Sequence, residues 1–251
     1  MKATMKALAV PLALLIVAEI VARLSSGGSD AVAPPSAVLL ALVRAIADGS
    51  IAMATLDTLA MAFGGLFLGV AIGLVLGLLL GLVPFLNGAL ELSIEAIRPI
   101  PSVALLPIAL LVFGFGFRME MAIVAFSCIW PMLILTRSAL AGIEPRLMEV
   151  SRALRLSMLD RIWKIILPAA LPRITLAFRL AAGIALVVAV TVEIAANPFG
   201  LGYGILAAQQ ALRPDLMLAY LLWVGIVGYG FNWLFGVLQR HAGRAAMPEA
   251  R

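Results

Sequence analysis

The sequence predicts an all-α membrane protein of about six transmembrane helices, and three observations predict it. The 251 residues are 64% hydrophobic and only 12% charged, with a mean hydropathy of +1.13, far from the composition of a soluble domain. The apolar residues are gathered into runs near or above the ~20 residues that cross a hydrocarbon core. Lysines and arginines fall unevenly between those runs, as a fixed membrane orientation requires.

The runs cover about 7–24, 55–83, 99–116, 119–140, 170–194 and 215–238 of a single membrane domain, 1–251. The first follows two lysines and has an apolar body, so a cleaved signal peptide competes with a retained helix; Glu19 and Arg23 fall where a signal would end in small residues and favour the helix. The second carries Gly65, Gly69, Gly73, Gly77 and Gly81. A spacing of four returns to one face, which predicts a stripe on which another helix backbone packs closely; a pore wall of glycines is the competing reading. In the third, Arg98-Pro-Ile-Pro101 and Pro107 predict an abrupt start and a bend in the first or second turn. The fifth contains Arg179 about seven residues in and Glu193 near its far end, and Pro168 and Pro172 precede it as breakers. Asn197-Pro-Phe-Gly-Leu-Gly-Tyr-Gly204 predicts a tight external loop. No repeat of 20 to 50 residues is visible, so duplicated transporter halves receive no support.

With the N-terminus inside, thirteen Lys and Arg residues fall on the inner side, four on the outer side, and Arg179 inside a helix. Both termini are therefore expected in the cytoplasm. The net charge of +5 is a topology signal and asks for no nucleic-acid partner. The residue inventory excludes much chemistry. His241 and Cys128 are single, so no His/Cys metal cluster, internal disulfide or serine–histidine pair inside the membrane is expected. No G-x-x-x-x-G-K-[ST] loop occurs, so nucleotide energy would have to come from a partner; no catalytic residue, metal or cofactor is expected.

Charged groups in the spans are expensive and mark candidate function. Arg179 either lines a translocation path and attracts an anion, or pairs and snorkels. Glu193 either pairs structurally or helps form an external gate. Asp57 and Glu19, near helix ends, need no more than hydration.

Residues 141–173 are too polar to span and too apolar to be a solvated linker. Leu147, Val150, Leu154 and Met158 recur every three or four residues, with Arg146, Glu149, Arg152 and Arg155 largely on other faces, which predicts an amphipathic helix. Leu159, Ile162, Trp163 and Ile166 predict a second. Such a segment either lies on anionic membrane lipid or docks a protein.

Glu149-Val150-Ser151-Arg152-Ala153-Leu154-Arg155, then Leu167-Pro168, resembles the cytoplasmic loop E-A-A-x-x-L-G, a dozen residues, leucine-proline of one family: the membrane subunits of binding-protein-dependent ABC importers of the nitrate, sulfonate, taurine and bicarbonate group. Arg98-Pro-Ile-Pro-Ser-Val-Ala-Leu-Leu-Pro107 with Phe113-Gly-Phe-Gly116, and Arg179 with Glu193 and Gly200-Leu-Gly202, extend the resemblance over about residues 35–240. It implies the type I importer permease architecture: a second copy of the chain, two cytoplasmic ATPase subunits docked on a two-helix coupling loop at 141–169, and an extracytoplasmic substrate-binding protein. The loop residues it assigns to ATPase coupling are Glu149, Ser151, Arg152, Leu154, Arg155, Met158 and Pro168. The substrate it implies is a small anion such as nitrate, bicarbonate or an organosulfonate, although relatives also serve aromatic acids and neutral heterocycles. A self-sufficient channel or ion-coupled carrier is the reading of another class; it predicts several buried carboxylates or polar residues near mid-membrane. Arg155 departs from the family glycine. If the bend there needs positive φ, arginine costs ~1 kcal/mol or more.

Overall fold

The computed structural model describes residues 2–25 and 33–246, without the side chains of residues 2–9, 11, 12, 25 and 238–246. Every regular element among the described residues is helical: α1 Lys2–Ser25, α2 Pro35–Ala47, α3 Ser50–Leu82, α4 Pro84–Ile97, α5 Leu106–Phe113, α6 Phe117–Ala141, α7 Pro145–Ala153, α8 Met158–Arg161, α9 Leu167–Ala196, α10 Gly200–Gln210 and α11 Pro214–Ala246. Among them, Ser50–Leu82, Phe117–Ala141, Met158–Ala196 and Pro214–Val237 are each long and apolar enough to cross a membrane. The expected first span, 7–24, falls on α1, part of whose side chains lie outside the described residues.

The core is α3, α6 and α9 side by side, and small residues explain how closely they approach. Lipid tails are as apolar as leucine, so helices gain by backbone contact where side chains are short. The glycine stripe of α3 faces α6. A Cβ at Gly73 would lie 2.6 Å from the Ile129 carbonyl oxygen, and one at Gly77 2.7 Å from Thr136 Cβ. α9 packs against both helices, presenting Ala170, Ala177, Ala181, Ala185 and Ala189, all fully buried, and Cys128, which faces Gly69, also reaches the Ala181 carbonyl with its Sγ at 3.4 Å. α6 therefore packs on both a glycine stripe and an alanine column. Phe178, Phe231 and Phe235 join α11 to α9, with ring centroids 4.8 and 5.3 Å apart.

Three sequence expectations are corrected. The third run, 99–116, is not one helix. α5 has eight residues, about 12 Å at 1.5 Å per residue, too short to cross alone. It follows a 3-10 turn, Ser102–Leu105, and the whole piece is bent 86° from α4. Pro99 and Pro101 cause the break, since neither supplies a backbone donor to continue the ladder; Arg98 itself is still helical, at φ −52° and ψ −43°.

Pro168 and Pro172 do not break the chain. α8 runs through a π-turn, Ile162–Ile166, into α9, making one helix of 39 residues, Met158–Ala196. Pro168 occupies the first turn of α9 and Pro172 lies inside it; the expected start at 170 moves back to 167.

The turn-rich segment 197–204 is a loop only as far as Phe199. From Gly200 it is α10. Its glycines answer crowding, because a Cβ at Gly204 would lie 2.5 Å from the Tyr220 ring and one at Gly202 would strike the Val190 carbonyl.

Candidate functional site

At the end of the bundle that carries the 141–173 segment, two short helices leave the core. Ile143, Met148, Ile162 and Leu167 pack against Leu140, Ile166 and Ala170, which anchors them. Ser151 also faces inward: it is fully buried, and its hydroxyl donates to the Met148 carbonyl at 2.6 Å. The predicted stripe of Leu147, Val150, Leu154 and Met158 points outward instead, joined by Leu159 and by Trp163 at 68% exposure. The second predicted stripe is split, because the π-turn rotates Ile162 and Ile166 inward and leaves Leu159 and Trp163 outside. Glu149, Arg152, Arg155 and Pro168 are exposed. α7 begins at Pro145 with no acidic residue in its first turn, so Glu149 sits too far along to complement the helix dipole.

The bend between α7 and α8 forms at Arg155, with φ +48°. Its N–H donates to the Arg152 carbonyl at 3.0 Å, and the Leu156 N–H donates to the Ser151 carbonyl at 3.1 Å, closing the end of α7 around a left-handed residue. Ser157 then caps α8, accepting from the Asp160 N–H at 3.1 Å. Arg155→Gly should keep this path and relieve about 1 kcal/mol of backbone cost. Slower proteolytic cleavage between residues 153 and 158 is the expected measurement; faster cleavage would contradict it.

Arg179 lies on α9 beside α11, its Nε 3.4 Å from Asn232 Oδ1. Together with Leu176, Gly183, Val187 and Gly228 they line an open groove of about 690 Å³. Nothing lies within 4 Å of a Cβ built at Gly183, Gly225 or Gly230. These glycines, unlike those of α3, face no neighbour among the described residues.

At the opposite end of the bundle is a buried polar cluster. Glu120 of α6, Glu193 of α9, Thr58 of α3 and Asn197 are each at most 2% exposed. Glu193 Oε2 accepts from the Gly202 N–H at 2.7 Å, and the Leu201 N–H donates to Thr58 Oγ1 at 2.8 Å. Asn197 Nδ2 donates to Glu120 Oε2 at 2.5 Å. No ion pair among the described residues reaches either carboxyl. The sequence reading singled out Glu193 but missed Glu120, Thr58 and Asn197. The signal was available: charge is costly in lipid, and Glu120 stands at the start of one apolar run as Glu193 stands near the end of another.

Known proteins resemble this chain in sequence and in fold. Residues 69–245 match the family described as "Binding-protein-dependent transport system inner membrane component". An aliphatic sulfonates transport permease of Bacillus subtilis is 29% identical over 94% of this chain and 86% of its own length. A nitrate import permease of Leptolyngbya laminosa is 30% identical over 60% of this chain, and the match spans 54%, about half, of that relative. An inward-facing structure of the MetNI methionine ABC transporter superposes with a TM-score of 0.68 over 79% of this chain and 96% of the compared chain, at 21% identity. That likeness speaks for the fold alone.

Proposed function

We infer the function from one premise: this chain belongs to the family of binding-protein-dependent transport system inner membrane components, the permease subunits of ABC importers. It is a multi-pass membrane protein that works in transport. In our reading two copies pair in the bacterial inner membrane with both termini and the 141–169 loop in the cytoplasm. Two separate ATPase subunits dock on the loops and hydrolyse ATP, and a binding protein delivers solute on the other side. The nucleotide cycle then drives alternating access between inward-open and outward-open forms.

The observation that carries this reading is the loop. Leu147, Val150, Leu154, Met158 and Trp163 are exposed on helices anchored by a separate inward face, an apolar surface suited to a groove in a partner protein. The open glycines Gly183, Gly225 and Gly230 favour a second copy against α9 and α11, which would enclose the groove at Arg179 and make it the path wall. A guanidinium with an amide beside it suits an oxyanion. We therefore propose a small anion, nitrate, bicarbonate or an organosulfonate, as the solute. The sulfonates and nitrate for which the two relatives are named agree in chemistry.

The ion-coupled carrier asks for carboxylates at mid-membrane. Glu120 is the fourth residue of α6, and Glu193 is the fourth from the end of α9, so they do not meet that condition.

Co-purification tests the proposal. The chain expressed with the ATPase and binding protein encoded beside it should retain the ATPase in detergent and accumulate anion in proteoliposomes only with ATP. Accumulation by the chain alone, without ATP, would sink it. Within this frame, Arg179→Ala should lower anion transport by about tenfold or more through loss of a charge-assisted hydrogen bond, while Arg179→Lys keeps part of it. Equal transport by all three chains would remove Arg179 from the path.

A further inference from the structure

The N-terminus of α10 is capped by other helices. Phe199, at its N-cap, makes no side-chain cap hydrogen bond, although the first N–H groups of any helix need acceptors. Buried as they are, they find two: Glu193 takes the Gly202 N–H at 2.7 Å and Thr58 takes the Leu201 N–H at 2.8 Å. The chain just before α10 is pinned as well, through Asn197 on Glu120. α10 therefore rests on α9, α3 and α6 by one buried polar contact each. The fit is close: a Cβ at Gly202 would lie 2.7 Å from Glu193 Cβ, and one at Gly200 would overlap the Glu193 carboxyl. Gly200 itself has φ +89°, a conformation glycine adopts without the cost other residues bear.

The other end of this connection is the candidate coupling loop. α8 and α9 form one helix, Met158–Ala196, about 58 Å long at 1.5 Å per residue. Displacement of α8 has a continuous helix to travel along, loosened near its start by the π-turn at Ile162–Ile166, a feature common where helices adjust at functional sites, and by Pro168 and Pro172. Glu193 sits at its far tip. The hydrogen bonds there are few and water-excluded, so they hold firmly when made and have no substitute when α9 shifts.

We propose that Glu193 and Thr58 are positioning residues of an outer gate, holding α10 closed by capping its N-terminus, and that the continuous α8–α9 helix releases this latch when the loop moves. The proposal rests on the importer reading given above and adds the gate and its trigger.

Ala208 reports the gate, since it lies on α10 and is 3% exposed. In a Cys128→Ala background, the thiol of Ala208→Cys is reacted with a membrane-impermeant maleimide in the complex with its ATPase. With Glu193 present, labelling should be slow without nucleotide and rise when ATP is trapped with vanadate, a response that a purely structural contact would not give. Glu193→Ala should raise the nucleotide-free rate by about tenfold or more, and Glu193→Gln, whose amide oxygen still accepts the Gly202 N–H, should restore much of the protection. Thr58→Val, nearly the same shape without the hydroxyl, should raise labelling in the same direction and carries the test if Glu193→Ala does not reach the membrane. Unchanged labelling in Glu193→Ala or in Thr58→Val overturns the latch, as do equal rates for Glu193→Ala and Glu193→Gln or a wild-type rate indifferent to vanadate-trapped ATP. An ATPase that fails to associate overturns the importer reading instead, and the nucleotide-free rates still judge the latch.

Discussion

Gly69→Val is expected to lower the melting temperature of the detergent-solubilised chain by about 6–12 °C, corresponding to about 3 kcal/mol for a chain of this size. A Cβ at Gly69 would press on the Ala125 carbonyl oxygen and lie 2.7 Å from Cys128 Cβ. The first is backbone in the middle of α6 and has no rotamer to change. α6 cannot withdraw without also losing its contact with α9, where Ala181 and Ala185 are both fully buried. Relief would have to open the α3–α6 contact along its length, where Gly73 and Gly77 sit equally close. Interiors tolerate a missing methyl better than an added one when the neighbour is rigid. Gly88→Ala is the matched control: nothing lies within 4 Å of its Cβ position, so it should be neutral or gain up to about 1 kcal/mol from helix propensity. Equal melting temperatures for Gly69→Val and the unmodified chain would show that α3 and α6 are not packed as described.

How far the sequence reaches is decided by which force sets each element. The spans at 55–83, 119–140 and 170–194 lie close to α3, α6 and α9, because hydropathy reports transfer into lipid and little competes with it. Their packing was half legible. Glycines stand out in an apolar run, whereas the alanines of α9 are hidden among many other alanines, and only contact with α6 separates the column from the rest. Proline and glycine misled in opposite directions. Pro99 and Pro101 break the third span more completely than expected, while Pro168 and Pro172 leave the helix whole: a missing donor inside a membrane helix is tolerated where neighbouring helices and local π adjustments support it. Gly202 and Gly204 looked like turn residues but serve close packing, which no local pattern reveals, whereas Gly200 does turn the chain, at φ +89°. The 13-residue α2 was passed over, although Val38, Leu42 and Ala45 are spaced at helical intervals behind Pro35. At the polar cluster, Glu120, Thr58 and Asn197 come from three separate stretches, so their meeting belongs to the tertiary structure.

Glu149→Lys should abolish stable association with the ATPase, weakening it by about a hundredfold or more, while leaving membrane insertion and the melting temperature of the isolated chain unchanged. The separation between the two readouts follows from where Glu149 stands. It is exposed on α7, takes part in no ion pair among the described residues, and lies beyond the first turn of its helix, so the chain itself loses nothing when the carboxylate goes. Next to it, Leu147 and Val150 are 39% and 49% exposed, and a partner covering them would take Glu149 out of water as well. A charge desolvated in an interface needs its opposite. Breaking such a pair costs 2–5 kcal/mol or more, and reversing the sign adds repulsion to the loss; at 1.4 kcal/mol per decade the lower figure is already about thirtyfold. Glu149→Gln should fall between, retaining the hydrogen-bonding shape without the charge. Raised salt separates this account from docking on lipid. An ion pair shielded inside a protein interface is screened little, whereas attraction of Arg146, Arg152 and Arg155 to anionic head groups fades within a Debye length. Retention of the ATPase by the unmodified chain at 0.5 M salt, with its loss in Glu149→Lys at any salt, is the expected pattern. ATPase retained by Glu149→Lys at low salt would place the docking contact elsewhere on the loop.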